Sequence, residues 1–579
     1  MAKYRRIFIF ALVIFLLGGI TACGGDPADT TATPTTTTTP AETTEPEPTG
    51  PQLVENYPDE IIIAADNSPQ EWIDKAKYVC VQGELPKELI SALRQGGVYK
   101  FAPGEYLIEG QARSFYVGSN TTVTGAYKII QPKAQDEMLY PDPSYMAVFV
   151  TRTELPSIQS STDEQYGKIS LTTSKNAVVS NIALSGHTVL KIENSQNATI
   201  DSVLIHNYRG TYPDGQWCNM GYGRATGSLW LYGQCRNIEI KNCQIQCSSH
   251  HGLTIQSPGG QYLAKDINIT GTRALYCGCG QLRGETQERF AEAAARLPET
   301  GGYGYYDWSC AFDVCENQDV ENIKLEDCYA LDGWKAGFYT EPLSSGAKAT
   351  NISFIRCRSD HAGRRAVLKG SNPKATIPQA TEGANFFVQG GYFEDCISVS
   401  GEKVGWYMNP NRVGANGSGD GIIKMVNCGD MGSPISLVTE MTDSRGLHTE
   451  GFFSLNAQKY AMWLFGEGDF ILEDTVILSS NHANPSIKIG YMIRFQLVES
   501  RDPWLQSLVA PGGKYDVLRT HLKNSRITGT IYGLPEAFAA VEIVSGATFN
   551  GTADPNAQSS MITLARDNTT QIDIKDYIN

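Results

Sequence analysis

Basic side chains recur at a fixed distance from a repeated cysteine in the middle of this chain. Five strand-like segments each end in a cysteine, at Cys243, Cys328, Cys357, Cys396 and Cys428. Seven residues after the first four of these cysteines stand His250, Lys335, Arg364 and Lys403. If the segments stack as parallel strands, these side chains form a row with a spacing of about 4.8 Å. Like charges in such a row repel one another, and an anionic ligand would relieve this repulsion. The row therefore suits a polyanion such as a uronic-acid or sulfated polysaccharide.

The strand-like segments after the basic positions predict a second row. Aligning GSLWLYG, AFDVCEN, GFYTEP, AVLKGS and GWYMNP places on one face Trp230, Asp313, Tyr339, Leu368 and Tyr407. Glu341 and Asn409 follow two residues farther along that face. If this face points outward, its aromatic rings would support sugar rings while the amide and carboxylate bind sugar hydroxyls. The alternative is that these aromatic residues only cover the side of the fold.

The densest polar segments predict where chemistry would occur. They are SSHHG at 248–252, DGWKAGFYTEP at 332–342 and SDHAGRRAVLKG at 359–370. Cleavage of a uronate chain by β-elimination requires neutralisation of the carboxylate, removal of the α-proton and protonation of the leaving oxygen. In a polysaccharide lyase, or a related epimerase, we assign these steps to Arg364 or Arg365, to Lys335, and to Tyr339 or His361.

Further residues are predicted to bind the substrate or to replace the arginine. The substrate-binding set is His250, His251, Lys403, Trp230, Tyr407, Glu341 and Asn409. Calcium could neutralise the uronate instead, with Asp332, Asp360 and Asp313 as oxygen ligands.

Two other functions remain open at this point. Hydrolysis would use two carboxylates, one as acid and one as base or nucleophile, chosen from Asp307, Asp313, Glu316, Asp332 and Glu341. A non-catalytic surface protein that binds a glycan or acts as a spacer is the third possibility, because a fold does not fix a function.

The spacing of the repeats predicts the elements that position these residues. Short β-rich segments bounded by Asn, Gly or Asp recur about every 30 residues, which is typical of an all-β coil of parallel strands. We expect an N-terminal cap and first coil at 53–110, with a capping helix over 86–94, and β-helix coils at 111–445. Residues 446–579 would add coils or a C-terminal cap, and the Ala/Glu/Arg-rich stretch 284–302 predicts a helix in an inserted loop.

A family resemblance supports this fold class. The stretch GGVYKFAPGEYLIEG resembles the opening of single-stranded right-handed parallel β-helix proteins of the pectate-lyase-like superfamily. Together with WIDKAKYVC upstream, it is also similar to β-helix surface proteins of methanogenic archaea. The WxDH and RxPxxR segments of common pectate lyases are absent, and SSHHG resembles the GHG motif of polygalacturonases only distantly. The resemblance therefore implies an exported glycan-active or glycan-binding protein but no particular catalytic residue.

The N-terminus predicts export. Three basic residues precede an apolar stretch, and Ile20-Thr21-Ala22-Cys23 looks like a bacterial lipobox. We expect a signal peptide over 1–22, diacylation at Cys23 and a Thr/Pro/Glu-rich tether over 23–52, which would hold the protein outside the cell membrane. An uncleaved signal anchor is the alternative.

Charge and cysteine content limit the partners further. The formal net charge of -15 disfavours nucleic acid, since binding phosphates requires a positive field. Identical cysteines at one repeat position predict a ladder of buried thiols. Cys277, Cys279, Cys310 and Cys315 are candidates for disulfides, or for a metal site together with His250 and His251, although their spacing matches no strong zinc pattern.

Overall fold

The structure is a computed structural model that describes a large part of the chain. The described ranges are 50–108, 114–151, 167–186, 188–207, 227–248, 251–257, 262–278, 309–316, 318–340, 348–363, 383–408, 423–441, 447–466 and 468–478, with further strands up to residue 562. Three long sheets contain almost all of the strands, and successive coils in the middle of the chain contribute one strand to each sheet. This is the right-handed parallel β-helix that the sequence predicts.

The first sheet has 16 strands. In spatial order they are Tyr78–Cys80, Ile61–Ala65, Gly97–Phe101, Thr121–Gly125, Val178–Ser180, Gln196–Asp201, Arg236–Lys241, Leu263–Thr270, Asp319–Glu326, Ala349–Ile355, Gly391–Glu394, Ile423–Val426, Leu447–Glu450, Gly468–Glu473, Leu518–Lys523 and Val541–Ile543.

The second and third sheets have 14 strands each. Those of the second are Gly104–Leu107, Ala147–Val150, Ile182–Gly186, Leu204–Asn207, Gln244–Gln246, Arg273–Leu275, Tyr329–Leu331, Arg358–Asp360, Ile397–Val399, Gly429–Met431, Phe453–Leu455, Val476–Leu478, Arg526–Thr528 and Thr548–Asn550. Those of the third are Phe115–Tyr116, Gly167–Thr172, Thr188–Glu193, Gly227–Tyr232, His251–Gln256, Cys310–Glu316, Ala336–Thr340, Ala384–Val388, Val404–Met408, Ile435–Met441, Tyr460–Gly466, Ile487–Gly490, Ile531–Tyr532 and Met561–Ile562. A separate antiparallel pair joins Met492–Ile493 and Gln496–Leu497.

Helices in the described part are short and lie near its N-terminus. They are the α-helices Gln70–Ile73 and Lys87–Ala92 and the 3₁₀ helix Val81–Gly83. Leu89 and Leu93 are buried in the core, yet a helix of six residues does not confirm the predicted capping helix. None of the helices in these ranges is long and apolar enough to span a membrane. The predicted helix at 284–302 lies outside the described residues.

Two corners of each coil depend on left-handed residues. Between the first and second sheets the positive φ values belong to Asn181, Ser202, Asn242, Gly271, Asp327, Arg356, Asp395, Asn427, Gly451 and Asp474. Between the second and third sheets they belong to Cys247, Tyr276, Asp332, His361, Ser400, Gly432 and Asn456. Asn, Asp and Gly adopt this conformation at the lowest cost in free energy, which explains why they recur at the ends of the strand segments in the sequence.

The predicted cysteine ladder is confirmed. Backbone hydrogen bonds connect the ladder positions in the order Cys243, Thr272, Cys328, Cys357, Cys396 and Cys428, so Thr272 occupies one rung. All five cysteines are buried free thiols in the apolar interior. Stacked rings fill the same interior beside the third sheet, where Phe386 and Trp406 have ring centroids 3.9 Å apart. Cys277 and Cys310 are also free thiols, so no disulfide joins these two residues.

Thiol labelling tests the ladder. Burial raises the pKa of Cys328, Cys357 and Cys396, so they are both inaccessible and protonated at neutral pH. We expect a small thiol reagent to leave these three residues unmodified in the folded protein and to modify them after unfolding in urea, as read by peptide mass spectrometry. Rapid modification in the folded protein would contradict the register.

The interior also contains a carboxylate whose hydrogen-bond donors, among the described residues, are all serines. Asp430 is fully buried and accepts hydrogen bonds from the hydroxyls of Ser398, Ser433 and Ser436 and from the backbone N–H of Ser433. Burial raises the pKa of Asp430 from 3.8 to about 6, and the serine donors oppose this rise. A Cβ at Gly405 would collide with this carboxylate, so the neighbouring coil needs glycine there.

Asp430 should make stability depend on pH in a defined direction. Between about pH 4 and about pH 6 the folded protein keeps a proton that the unfolded chain releases, so stability falls as the pH rises, by about 3 kcal/mol in total. We expect this fall to be absent from Asp430→Asn, which cannot titrate. Urea unfolding of both proteins across this window measures the difference, and identical pH dependence would show that Asp430 is not the group responsible.

Candidate functional site

The outer face of the third sheet brings together most of the described candidate residues. Paired positions in successive strands run in the order Trp230, Thr254, Asp313, Tyr339, Phe387 and Tyr407. This register confirms the predicted alignment of Trp230, Asp313, Tyr339 and Tyr407. The sequence alignment missed Thr254 and placed Leu368 where the structure has Phe387. The alternation in HGLTIQ and ANFFVQ could have identified both.

The predicted row of cations is wrong as a continuous row. Lys335 and Lys403 do occupy equivalent positions, immediately before the strands that begin at Ala336 and Val404. The coil between them has Gly383 at this position, because Ala384 pairs with both Ala336 and Val404. On the other side of Lys335 the position is Ser309, whose carbonyl accepts the Lys335 N–H. The two lysines therefore stand two coils apart, at about 10 Å along the stack.

Lys335 forms a close pair with Tyr339. Its Nζ donates a hydrogen bond to the Tyr339 hydroxyl at 2.7 Å. The same nitrogen lies 3.9 Å from the centroid of the Tyr339 ring and 4.8 Å from that of Phe387, so both rings border the amine. Lys335 and Tyr339 are each only 1% exposed. A buried amine and phenol in direct contact can exchange a proton without water.

His251 and Asp313 form a second pair in the preceding coils. The backbone N–H of Cys310 donates to His251 Nδ1 at 3.1 Å, so this nitrogen carries no proton. The imidazole is then neutral with its proton on Nε2, which lies 3.4 Å from Asp313 Oδ2. We infer that His251 orients Asp313 rather than acting as a cation, because Nδ1 is already engaged.

The surroundings of these pairs are apolar and closed to solvent. An outward-facing cluster of buried side chains flanks them, formed by Cys310, Ala336, Ala384, Phe387, Val404, Tyr407, Ile435, Val438 and Trp463. Tyr407 and Trp230, predicted as exposed sugar platforms, are buried too. Burying ionisable groups in such an environment costs stability, and clusters of this kind occur often at functional sites.

Asp332, His361 and Asp360 have structural positions at the edge of this face. Asp332 and His361 are neighbouring left-handed corner residues, since the Asp332 N–H bonds the carbonyl of Asp360 and the His361 N–H that of Val399. The Asp360 carboxylate accepts two hydrogen bonds from Arg358, at 2.7 and 2.8 Å, and one from the Tyr329 hydroxyl. In this structure Asp360 is thus the ion-pair partner of Arg358 and not the calcium ligand that the sequence predicts.

No metal centre is evident in the described ranges. They hold no group of three or more His, Cys, Asp and Glu side chains placed to bind an ion. Several predicted residues lie outside the described residues, namely His250, Glu341, Arg364, Arg365, Asn409 and the lipidation residue Cys23.

Comparisons with known proteins bear on the fold. No protein-family model and no curated protein matches the chain. Similar solved structures include the catalytic unit of a GH87 α-1,3-glucanase from Streptomyces thermodiastaticus, with 11% identity over 69% of this chain and 61% of that chain and a TM-score of 0.40. The chain thus spans about three fifths of that catalytic unit.

Two further structures show the same kind of likeness. Pectate lyase Pel9A has 13% identity over 59% of this chain and 76% of that chain, with a TM-score of 0.33. PfbA, a surface adhesin of Streptococcus pneumoniae, has 10% identity over 82% of this chain and 89% of that chain, with a TM-score of 0.30. The parallel β-helix of this chain is defined by its own three sheets. The similarity of the N-terminal stretch to archaeal surface proteins stays a prediction.

Proposed function

We propose that this protein is a carbohydrate-active β-helix protein that cleaves a uronate-containing glycan by β-elimination at the outer face of its third sheet. The observation that carries the proposal is the buried contact of 2.7 Å between Lys335 Nζ and the Tyr339 hydroxyl. β-Elimination needs a base and an acid close to each other, and this pair supplies both.

The reaction balances around these two side chains. The neutral amine of Lys335 takes the proton at C5 of the uronate, the C4–O bond breaks, and a double bond forms between C4 and C5. Tyr339 gives its proton to the leaving oxygen. The ammonium of Lys335 then returns a proton to the phenolate across their hydrogen bond, which restores both groups. Arg364 or Arg365 remains the predicted group that neutralises the uronate carboxylate.

Asp313 and His251 would support this pair from the adjacent coils. Asp313 is paired in register with Tyr339, and His251 Nε2 lies 3.4 Å from Asp313 Oδ2. Asp313 would orient the reacting sugar through a hydroxyl.

Burial of the pair favours a second candidate function. Asp313, Lys335 and Tyr339 are closed to solvent, so a polymer reaches them only if this face opens. If the face stays closed, the protein is a non-catalytic glycan-binding or structural surface protein.

The location of the protein is part of the proposal. A signal peptide and diacylation of Cys23 would anchor it in the cell membrane facing the exterior, with residues 23–52 as tether. An acidic polysaccharide on the outside would be its partner.

Replacing Tyr339 by Phe tests the proposed acid. The phenyl ring keeps its edge contact with Phe387, 5.0 Å away, but loses the proton. We expect turnover on polygalacturonate, alginate or another uronate polymer to fall by about 10²- to 10⁴-fold. Absorbance of unsaturated uronates and release of reducing ends measure the activity.

A matched control separates chemistry from folding. Tyr392 lies on the first sheet and donates to Glu394, so Tyr392→Phe removes a comparable hydroxyl on a different sheet from the site. We expect it to keep full activity, and both variants to unfold near the temperature of the unmodified protein. Full activity of Tyr339→Phe on a substrate that the protein cleaves would refute the assignment.

The products distinguish elimination from hydrolysis. Elimination gives new reducing ends together with unsaturated uronates, whereas hydrolysis gives reducing ends alone. We expect unsaturated products, with Asp313→Asn slowing their formation and Asp332→Asn leaving it nearly unchanged, because Asp332 forms a corner. Saturated products abolished by both substitutions would show hydrolysis instead. Neither product on any uronate polymer would favour the non-catalytic function.

A further inference from the structure

A second polar and aromatic patch lies on the same outer face, toward the N-terminal coils. Its first row is Ser170, Lys191, Trp230 and Thr254, which pair in successive strands. Its second row, two residues farther along, begins with Thr172, Glu193 and Tyr232 and continues at Gln256. Side chains alternate between faces, and the residues between these rows belong to the apolar core. Both rows therefore face outward.

The centre of this patch is a cation held between aromatic rings. Lys191 Nζ lies 4.6 Å from the centroid of the Trp230 ring and 4.4 Å from that of Tyr232. The two rings meet edge to face with centroids 5.2 Å apart. Glu193 Oε2 lies 3.2 Å from the same nitrogen, so the lysine charge is balanced within the patch.

One edge of the patch is open to solvent. Tyr262 is 37% exposed, and its ring centroid lies 6.5 Å from that of Tyr232. Lys191 and Glu193 keep partial exposure of their side chains, at 13% and 25%. The patch thus leads from an exposed aromatic ring to a nearly buried one, whereas the Lys335 and Tyr339 pair is closed.

Three buried polar atoms of the patch lack hydrogen-bond partners among the described residues, whereas the Thr172 hydroxyl donates to Glu193. Ser170 Oγ and Thr254 Oγ1 are almost fully buried, and neither makes a hydrogen bond in the structure as described. Gln256 Oε1 is also buried without a hydrogen-bond partner in the described part of the chain. The backbone carbonyl of the same residue accepts the Trp230 indole N–H at 3.2 Å. Buried polar atoms without partners are costly, so their grouping on one face beside two aromatic rings indicates a ligand with hydroxyls.

We propose that this patch is a subsite for an uncharged sugar ring. Aromatic faces pack against the C–H groups of a sugar ring, while the unpartnered hydroxyl and amide groups match its hydroxyls. The internal ion pair of Lys191 and Glu193 leaves no net charge for a carboxylate. An uncharged sugar fits this balance better than a uronate does.

This inference rests on the proposed function and specifies its substrate. Thr254 of the patch precedes Asp313 in the register, and Tyr339 follows Asp313, so Lys191 and Tyr339 are four coils apart, about 19 Å along the stack. A polysaccharide along this face would place an uncharged sugar in the patch and a uronate near Tyr339. The substrate class is therefore a mixed glycan that contains both kinds of sugar.

Calorimetric titration of the full chain tests the subsite. The background is Tyr339→Phe, so that no glycan is cleaved, and the probes are cellohexaose, xylohexaose and hexagalacturonate. We expect binding of an uncharged hexasaccharide, with affinity reduced about tenfold by Tyr262→Ala and by Lys191→Met. Tyr262 is exposed enough that its removal should not affect folding.

The controls use the same residue types elsewhere. Tyr140 is 63% exposed and its ring centroid lies 5.1 Å from that of His206, and Lys265 pairs with Glu321 at 2.7 Å. Tyr140→Ala and Lys265→Met should keep the affinity of the background protein. Binding of hexagalacturonate alone, binding of no uncharged probe, or equal affinities in all four variants would overturn the subsite.

Failure of the subsite and failure of the proposed function give different results. The titrations need no turnover, so loss of binding in Tyr262→Ala supports the subsite even if no unsaturated product ever forms. Conversely, elimination that depends on Tyr339 but is unaffected in KM by Tyr262→Ala keeps the proposed function and rejects the subsite.

Discussion

Parallel backbone hydrogen bonding between successive coils is the constraint on which this structure depends. Each strand must meet its neighbour residue for residue, so a side-chain type that suits one coil is repeated above and below it. The cysteine ladder shows the consequence in the interior, where small apolar groups stack at one position. The corners show it in the backbone, where Asn242, Asp327, Asp395 and Asn427 take the same left-handed conformation in different coils.

The same register brings polar side chains together on the outer face of the third sheet. Neighbours in the stack stand about 4.8 Å apart, which brings residues distant in sequence, such as Asp313 and Tyr339, into adjacent positions. The length of a side chain matters as well, because the long side chain of Lys335 allows a hydrogen bond to Tyr339, four residues later in the chain. Because the backbone is fixed by its hydrogen bonds, the groups on this face are held in place before any ligand arrives.

The sequence predicted this register well where a strand has strong alternation of side chains. The alignment of Trp230, Asp313, Tyr339 and Tyr407 is correct because the residue before each of them is apolar and belongs to the core. The prediction of the cation row failed because it counted a fixed number of residues from each ladder cysteine. That count crosses the corner between the second and third sheets, whose length varies between coils. The distance from Cys328 to Ala336 equals that from Cys396 to Val404, but far more residues separate Cys357 from Ala384. A fixed offset therefore placed Arg364 in a row that contains Gly383. Hydrogen bonds such as that between Cys310 and His251 could not be predicted either, because they require three-dimensional positions.

The energetics of the outer face explain why its polar groups indicate a function. The stacked column continues as Phe387, Tyr407, Val438 and Trp463, which shows that apolar side chains satisfy this face well. Tyr339, Lys335, Asp313 and His251 interrupt that pattern and remove ionisable groups from water, which apolar residues of similar size would avoid. Their hydrogen bonds and π contacts offset part of the cost without making the arrangement more stable than an apolar one. A scaffold alone gains nothing from such an interruption, whereas the proposed elimination would use an amine and a phenol in contact.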